Sequence, residues 1–154
     1  KIKGDSIMGL DMYLKGKRWI TDWPEQPEES KLSSVISDLF PNNVKVTSVT
    51  ADVGYWRKAN AIHNWFVTNV QNGKDDCEEY DVSREQLDQL SQQCKIVLGN
   101  ASLASSMLPS LGGFFFGGVD YDESYMGDLR DTITIIDNAL ELDKQWSFSY
   151  TSSW

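Results

Sequence analysis

The chain has a single histidine, His63, and the residues around it are the ones whose types could do chemistry. A carboxylate beside an imidazole fixes its tautomer and raises its basicity, which suits general acid–base work. Asp75 and Asp76 follow the His63 segment after a short turn and could fold back onto it. With Arg57 to stabilise developing negative charge, His63 as base and Asp76 as its orienting partner, the set reads as a small hydrolase or transferase. The same His–Asp contact equally serves as a structural hydrogen bond tying loop to helix, and that is the default, because such pairs are common without catalysis. Cys77 is a poor nucleophile: Asp76 and Glu78 flank it, and their charges oppose thiolate formation. A buried or hydrogen-bonded Cys77 is the expectation.

A second constellation is a binding pocket. From Gly54 onward the apolar residues Tyr55, Ala59, Ile62, Phe66 and Val70 recur at a helical period, which predicts a helix from Gly54 to about Val70. On it Arg57 and Asn60 are neighbours at i and i+3, flanked by Trp56 and His63, while Asp11 and Tyr13 could supply the opposite wall. Aromatics stack on planar groups, arginine pairs with phosphate or carboxylate, and amides read hydrogen-bonding edges. Asp11, Tyr13, Trp56, Arg57, Asn60 and His63 are therefore the candidate ligand-binding residues. The competing reading, of equal standing, puts Trp56 and Tyr55 in the core and Arg57 on the surface. No Walker loop and no G-x-G-x-x-G accompanies the set.

Composition narrows the classes. A formal charge of −9 on 154 residues repels phosphate backbones and disfavours general nucleic-acid binding, though not one nucleotide in a local basic pocket. Cys77 and Cys94 are too few for a disulfide scaffold and lack C-x-x-C spacing, so free thiols in a reducing compartment are expected. No short-range ligand pair supports zinc, and Asp75–Asp81 lacks the central glycine of an EF-hand loop, so no metal or other cofactor is assigned. No apolar run approaches the roughly 20 residues needed to span a bilayer, and no signal-peptide core stands at the start.

In chain order, Lys1–Ile7 reads as a frayed lead-in. Leu10, Met12 and Leu14 alternate with Asp11 and Tyr13 as a half-buried strand, ended or turned at Gly16-Lys17-Arg18. Trp19–Pro27 reads as a loop and Ser30 as the cap of a short helix whose Leu32, Val35, Ile36 and Leu39 share a face. Pro41–Asn43 reads as a turn and Val44–Val53 as a strand. After the His63 helix, Ser83 with Gln86 makes a capping box for a helix burying Leu87, Leu90, Cys94 and Val97. Ala101–Leu108 reads as a brief helix. Gly112–Gly118, with three phenylalanines in a row, is either buried on both faces or spans a bend. Asp120 or Asp122 caps the longest helix, and Trp146–Tyr150 alternates as a closing strand. The expected fold is one α+β domain over 1–154: a small, partly antiparallel sheet packed by three main helices. The aromatic closing strand could also pair across a homodimer, one of the oligomeric states left open.

The blocks Met8–Leu14, Gly54–Phe66, Asp75-Asp76-Cys77, Gly113–Gly117 and Ser152-Ser153-Trp154 resemble a family of small bacteriophage proteins. The resemblance spans most of Met8–Trp154 and implies a phage protein acting in the bacterial cytoplasm, with Met8 as an ancestral start. It carries over no functional residue. The resulting expectation is a phage accessory protein that binds a small, nucleotide-like ligand or a host protein without catalysis; the alternative is the His63 enzyme.

Overall fold

The computed structural model describes residues 9–20, 27–40 and 44–154, without the side chains of 27–30 and 33. The expected lead-in, most of the Trp19–Pro27 loop, the turn at 41–43 and the Ser30 cap lie outside what is described. Four strands form one sheet: β1 (Asp11–Trp19), β2 (Ser48–Arg57), β3 (Tyr80–Val82) and β4 (Trp146–Ser153), in the order β2-β1-β4-β3. Every pairing is antiparallel. The helices are α1 (Pro27–Ser37), α2 (Asn60–Asn69), α3 (Arg84–Gly99), α4 (Ala104–Met107) and α5 (Glu123–Glu141), with a 3-10 turn at Ala101–Leu103. The expected α+β class is therefore found, with α2, α3 and α5 as the main helices.

Alternation builds the sheet. Met12 and Leu14 of β1, Trp56 of β2, Val82 of β3 and Phe148 and Tyr150 of β4 point to one face and are buried. Against them pack Ile62 and Phe66 of α2, Leu87, Leu90 and Cys94 of α3, and Leu129 and Ile136 of α5. Burial pushes the Cys94 thiol up to about 12, as for an inert core group. The other face, with Asp11, Tyr13, Lys15 and Lys17 of β1, meets solvent, as one side of an antiparallel sheet commonly does.

Several boundaries differ from expectation. β1 continues through Gly16, which pairs with Ala51 and Phe148. β2 is displaced towards the C-terminus: it runs from Ser48 to Arg57, so Tyr55, Trp56 and Arg57 belong to a strand and not to the His63 helix. A bulge explains part of this. Leu14 pairs with Gly54 but Lys15 with Asp52, leaving Val53 without a cross-strand partner and breaking the inside–outside alternation of β2. Gly54 is needed at the crossing, since a Cβ there would lie 2.3 Å from Ile135 Cγ2 of α5. Lys58, at φ 58°, then turns the chain sharply into α2.

Other elements follow their chemistry. The Ser83/Gln86 capping box opens α3, and Asp122 caps α5 through Tyr125 N–H. Strand β3, which the acidic composition of 75–81 conceals, adds to the outer edge of β4. Tyr80 to Val82 thereby occupy the edge opposite Phe148 to Tyr150, and β4 is paired on both sides there, which removes that stretch as a dimer edge. Arg84 closes the α5–β4 corner: its guanidinium donates to the carbonyls of Leu140, Leu142, Asp143 and Trp146 and lies over the Phe148 ring. Replacing it by methionine keeps the stem but strands these carbonyls. The expected loss is about 2–3 kcal/mol, or roughly 5–10 °C in melting temperature, read by thermal denaturation.

Candidate functional site

The structure divides the six candidate ligand residues among three environments. Trp56 is in the core, 4% exposed, with its indole N–H donating to Thr132 Oγ1 at 2.9 Å. This corrects its assignment to a pocket wall, and follows from its inward position on β2. Asp11 and Tyr13 lie on the outer sheet face. Asp11 accepts hydrogen bonds from Tyr55 Oη and from Arg57 Nη1 at 3.0 Å, and Tyr13 lies against the Tyr55 ring at 5.4 Å. The hydrogen bond to Asp11, then burial, raises the Tyr55 hydroxyl above its ordinary value; the bond with Tyr55, then the Asp11 charge, raises Arg57. Arg57 and Asn60 sit on either side of the strand–helix junction, so they are not i, i+3 neighbours on one helix.

His63 is fully buried. Its Nδ1 lies 2.7 Å from Tyr150 Oη and its Nε2 lies 3.0 Å from Asp75 Oδ2. Burial, and then the Asp75 charge, holds the Tyr150 hydroxyl well above its ordinary value, so it keeps its proton and donates to Nδ1. Phe116 and Trp154 close the site edge-on, and Trp154 Nε1 donates to the other oxygen of Asp75 at 3.1 Å. His63 has its carboxylate partner, but it is Asp75 and not Asp76. Asp76 instead accepts from Tyr80 Oη at 2.8 Å and from Glu78 N–H, which hold its carboxyl below the usual range. His63 thus has no exposed surface, and both of its ring nitrogens face protein partners. Cys77, expected buried or hydrogen-bonded, is exposed; its backbone carbonyl accepts from Thr151 Oγ1.

Asn60 is also structural. Its amide donates to the carbonyls of Phe116 and Gly118, at 2.9 and 2.7 Å, and its oxygen accepts from Leu111 N–H at 3.0 Å. These bonds clamp the Gly112–Gly118 segment to the start of α2. That segment is a bend: Gly117 takes φ 83°, Phe116 is buried and Phe114 is 94% exposed at the tip.

Beside this clamp opens a cleft of about 270 Å³. Arg57, Lys58 and Asn60, at the strand–helix junction, form one part of its lining, Gly117 and Gly118 another, and Asp120 and Asp122, with Ser124 and Asp128 of α5, a third. Burial, reinforced by the charges of Asp131 and Asp122, pushes the Asp128 carboxyl up to about 6. Lys58 is exposed and makes no ion pair among the described residues. Neither Lys58 nor Asp128 was singled out by motif. The legible signal for Asp128 is a carboxylate beside Tyr125 and Leu129, the buried stripe of α5. Neither histidine nor cysteine lines the cleft, and the Tyr125 hydroxyl donates to Leu108 O at 2.8 Å. No group of three or more His, Cys, Asp or Glu is placed to hold a metal ion among the described residues. Nor is any helix among them long and apolar enough to cross a membrane. Comparison with protein-family models, curated proteins and solved structures gives no match.

Two measurements test this account. Tyr150→Phe leaves Nδ1 of His63 unpaired in a dry interior and should cost about 1–3 kcal/mol in denaturant unfolding. Asp128 has a folded-state pKa raised from 3.8 to about 6, so its protonated form favours the native state. That contribution is complete below the unfolded value and is lost as pH rises through about 6. Asp128→Asn should therefore be more stable than the parent at pH 8, by about 1–2 kcal/mol after allowance for residual solvent. The gap should narrow as pH falls through that window and close below it.

Proposed function

We propose that this domain binds a small polar ligand in the Lys58–Asp128 cleft without converting it, acting as a phage accessory protein inside the infected bacterial cell. The observation that carries the binding reading is the composition of the cleft: a lysine with no ion pair among the described residues, a half-buried carboxylate and serine hydroxyls, and no histidine or cysteine in the lining. The one imidazole that could have served is sealed between Tyr150 and Asp75. The phage setting is supported by the resemblance of the sequence blocks alone.

The cleft chemistry indicates the ligand class. Lys58, with Arg57 behind it, suits an anionic group such as phosphate or carboxylate. Asp128 and Asp120 suit hydrogen-bond donors, such as the hydroxyls of a ribose or an amine. A nucleotide-like molecule carries both ends. A host protein is the second reading, favoured by Phe114, the most exposed of the large hydrophobic side chains described.

Thermal unfolding against mononucleotides, cyclic nucleotides and zwitterionic metabolites at pH 7 tests the choice. A ligand at one hundred times its Kd should raise stability by about 2.7 kcal/mol, or roughly 5–10 °C. Lys58→Ala and Asp128→Asn should each abolish the shift while the parent fold is retained. A flat response across the panel would transfer the weight to the host-protein reading. Turnover of any member of the panel would contradict binding without conversion.

A further inference from the structure

The main helices α2, α3 and α5 all pack on one face of the sheet, and the other face carries a ligand chemistry of its own. The strand register sets its side chains in rows. Tyr55, Tyr13 and Thr151 share one row; Asp52, Lys15 and Ser149 the next; Thr50, Lys17 and Ser147 a third. Two hollows of about 250 and 300 Å³ lie along these rows. Tyr13, Asp52 and Thr151 line the first; Lys17, Thr50, Ser147 and Ser149, together with Glu79 and Asp81, line the second. Lys15 lines both, so the hollows adjoin at that side chain.

The side chains decide what fits there. β1 is paired with β2 on one side and β4 on the other, so its backbone has no ladder to offer a peptide and recognition falls to side chains. Lys15, half-buried, makes no hydrogen bond or ion pair among the described residues, which leaves its three donors unspent. The β4 hydroxyls already donate, Ser149 to Glu79 Oε1 at 2.5 Å and Ser147 to Lys17 O at 3.2 Å, and each keeps a lone pair to accept with. A lysine donor therefore stands between oxygen acceptors in two successive rows. A hydroxyl group, which donates and accepts at once, satisfies both. Tyr13 and the 48% exposed Tyr55, ring centroids 5.4 Å apart, add aromatic surface for an apolar C–H face. Charge separates two polymeric ligands. Asp52 in the first hollow and Glu79 and Asp81 in the second repel a phosphate backbone, whereas a neutral polyol meets no such cost.

We propose that this face binds a neutral oligosaccharide laid along β1, with one sugar unit in each hollow, Lys15 donating to hydroxyls of both and Tyr13 stacking on the unit beside it. The site is separate from the Lys58–Asp128 cleft, and neither depends on the other being occupied. Both hollows open on solvent, so the affinity is modest, with a Kd between about 0.1 and 1 mM.

Heteronuclear NMR of the full chain, titrated with maltotetraose, cellotetraose and chitotetraose to about 10 mM, tests this. At least one should shift the amides of 13–17 and 147–151, and its monosaccharide should bind at least about tenfold more weakly, because it fills one hollow only. Lys15→Met keeps the stem and removes the donors; it should weaken binding by about tenfold while the spectrum away from this face stays that of the parent. Lys58→Ala, in the cleft, should leave the sugar affinity unchanged. Amides that stay still with all three sugars overturn the proposal. So does a tetrasaccharide bound no more tightly than its monosaccharide, or binding that survives Lys15→Met undiminished. A single-stranded oligothymidylate that binds this face more tightly than any of the sugars overturns it as well.

Discussion

An imidazole removed from water must have both nitrogens satisfied, and much of this structure is arranged around meeting that requirement at His63. The Tyr150 hydroxyl and the Asp75 carboxylate meet it from opposite sides. Three segments distant in sequence are thereby tied at one point: α2, the acidic turn after it, and β4. Phe66 of α2 stacks on the Tyr150 ring with centroids 3.9 Å apart, so apolar packing and the polar relay hold the same pair of elements together. Because β4 lies beside β1 inside the sheet, orienting it fixes the platform on which α3 and α5 pack. The relay also determines the cleft indirectly. Asn60 stands about one turn before His63, and its three hydrogen bonds suspend the glycine-flanked bend at the cleft wall.

Local chemistry made much of the fold readable in advance. The capping box at Ser83, the buried stripe of α5 and the alternation in β4 are short-range patterns with one physical solution, and each is found where the residues indicate. The junction between β2 and α2 is different. Gly54 to Arg57 alternates in and out, yet Tyr55, Ala59 and Ile62 also fit a helical period, and a short window satisfies both. No Ser, Thr, Asp or Asn occupies the cap position before Asn60; Ala59 stands there, with no side-chain cap. The turn is made by Lys58 in a left-handed conformation, for which lysine gives no sign. Misplacing that boundary carries Trp56 out of the core and puts Arg57 on the wrong element.

The candidate site was legible only in part, for a related reason. The six candidate residues are divided among the core, the outer sheet face and the α2 junction, and which of them stay wet depends on pairings far along the chain. Asn60 spends both amide donors and one acceptor position on the bend at 111–118, and His63 spends its ring nitrogens on Asp75 and Tyr150. Beside Arg57, what is left for a ligand in the cleft comes from residues without a motif: Lys58, exposed by the turn it makes, and Asp128, set beside the core stripe of α5. The acidic segment shows the same dependence. Asp75 turns inward and Asp76 outward, a difference between adjacent identical residues that only the surrounding fold decides.

The strand order has a consequence for how the molecule comes into being. β1 and β4 are neighbours inside the sheet although they lie far apart in sequence; Ser147 bonds to the carbonyl of Lys17, 130 positions away. A nascent chain can form the β1–β2 hairpin early, but one side of β1 stays open until the ribosome has delivered β4. Until β4 has emerged the growing polypeptide therefore exposes an adhesive strand beside an unroofed apolar floor, the condition under which misassociation competes with folding. Pairing of β4 with β1 closes that side of the strand.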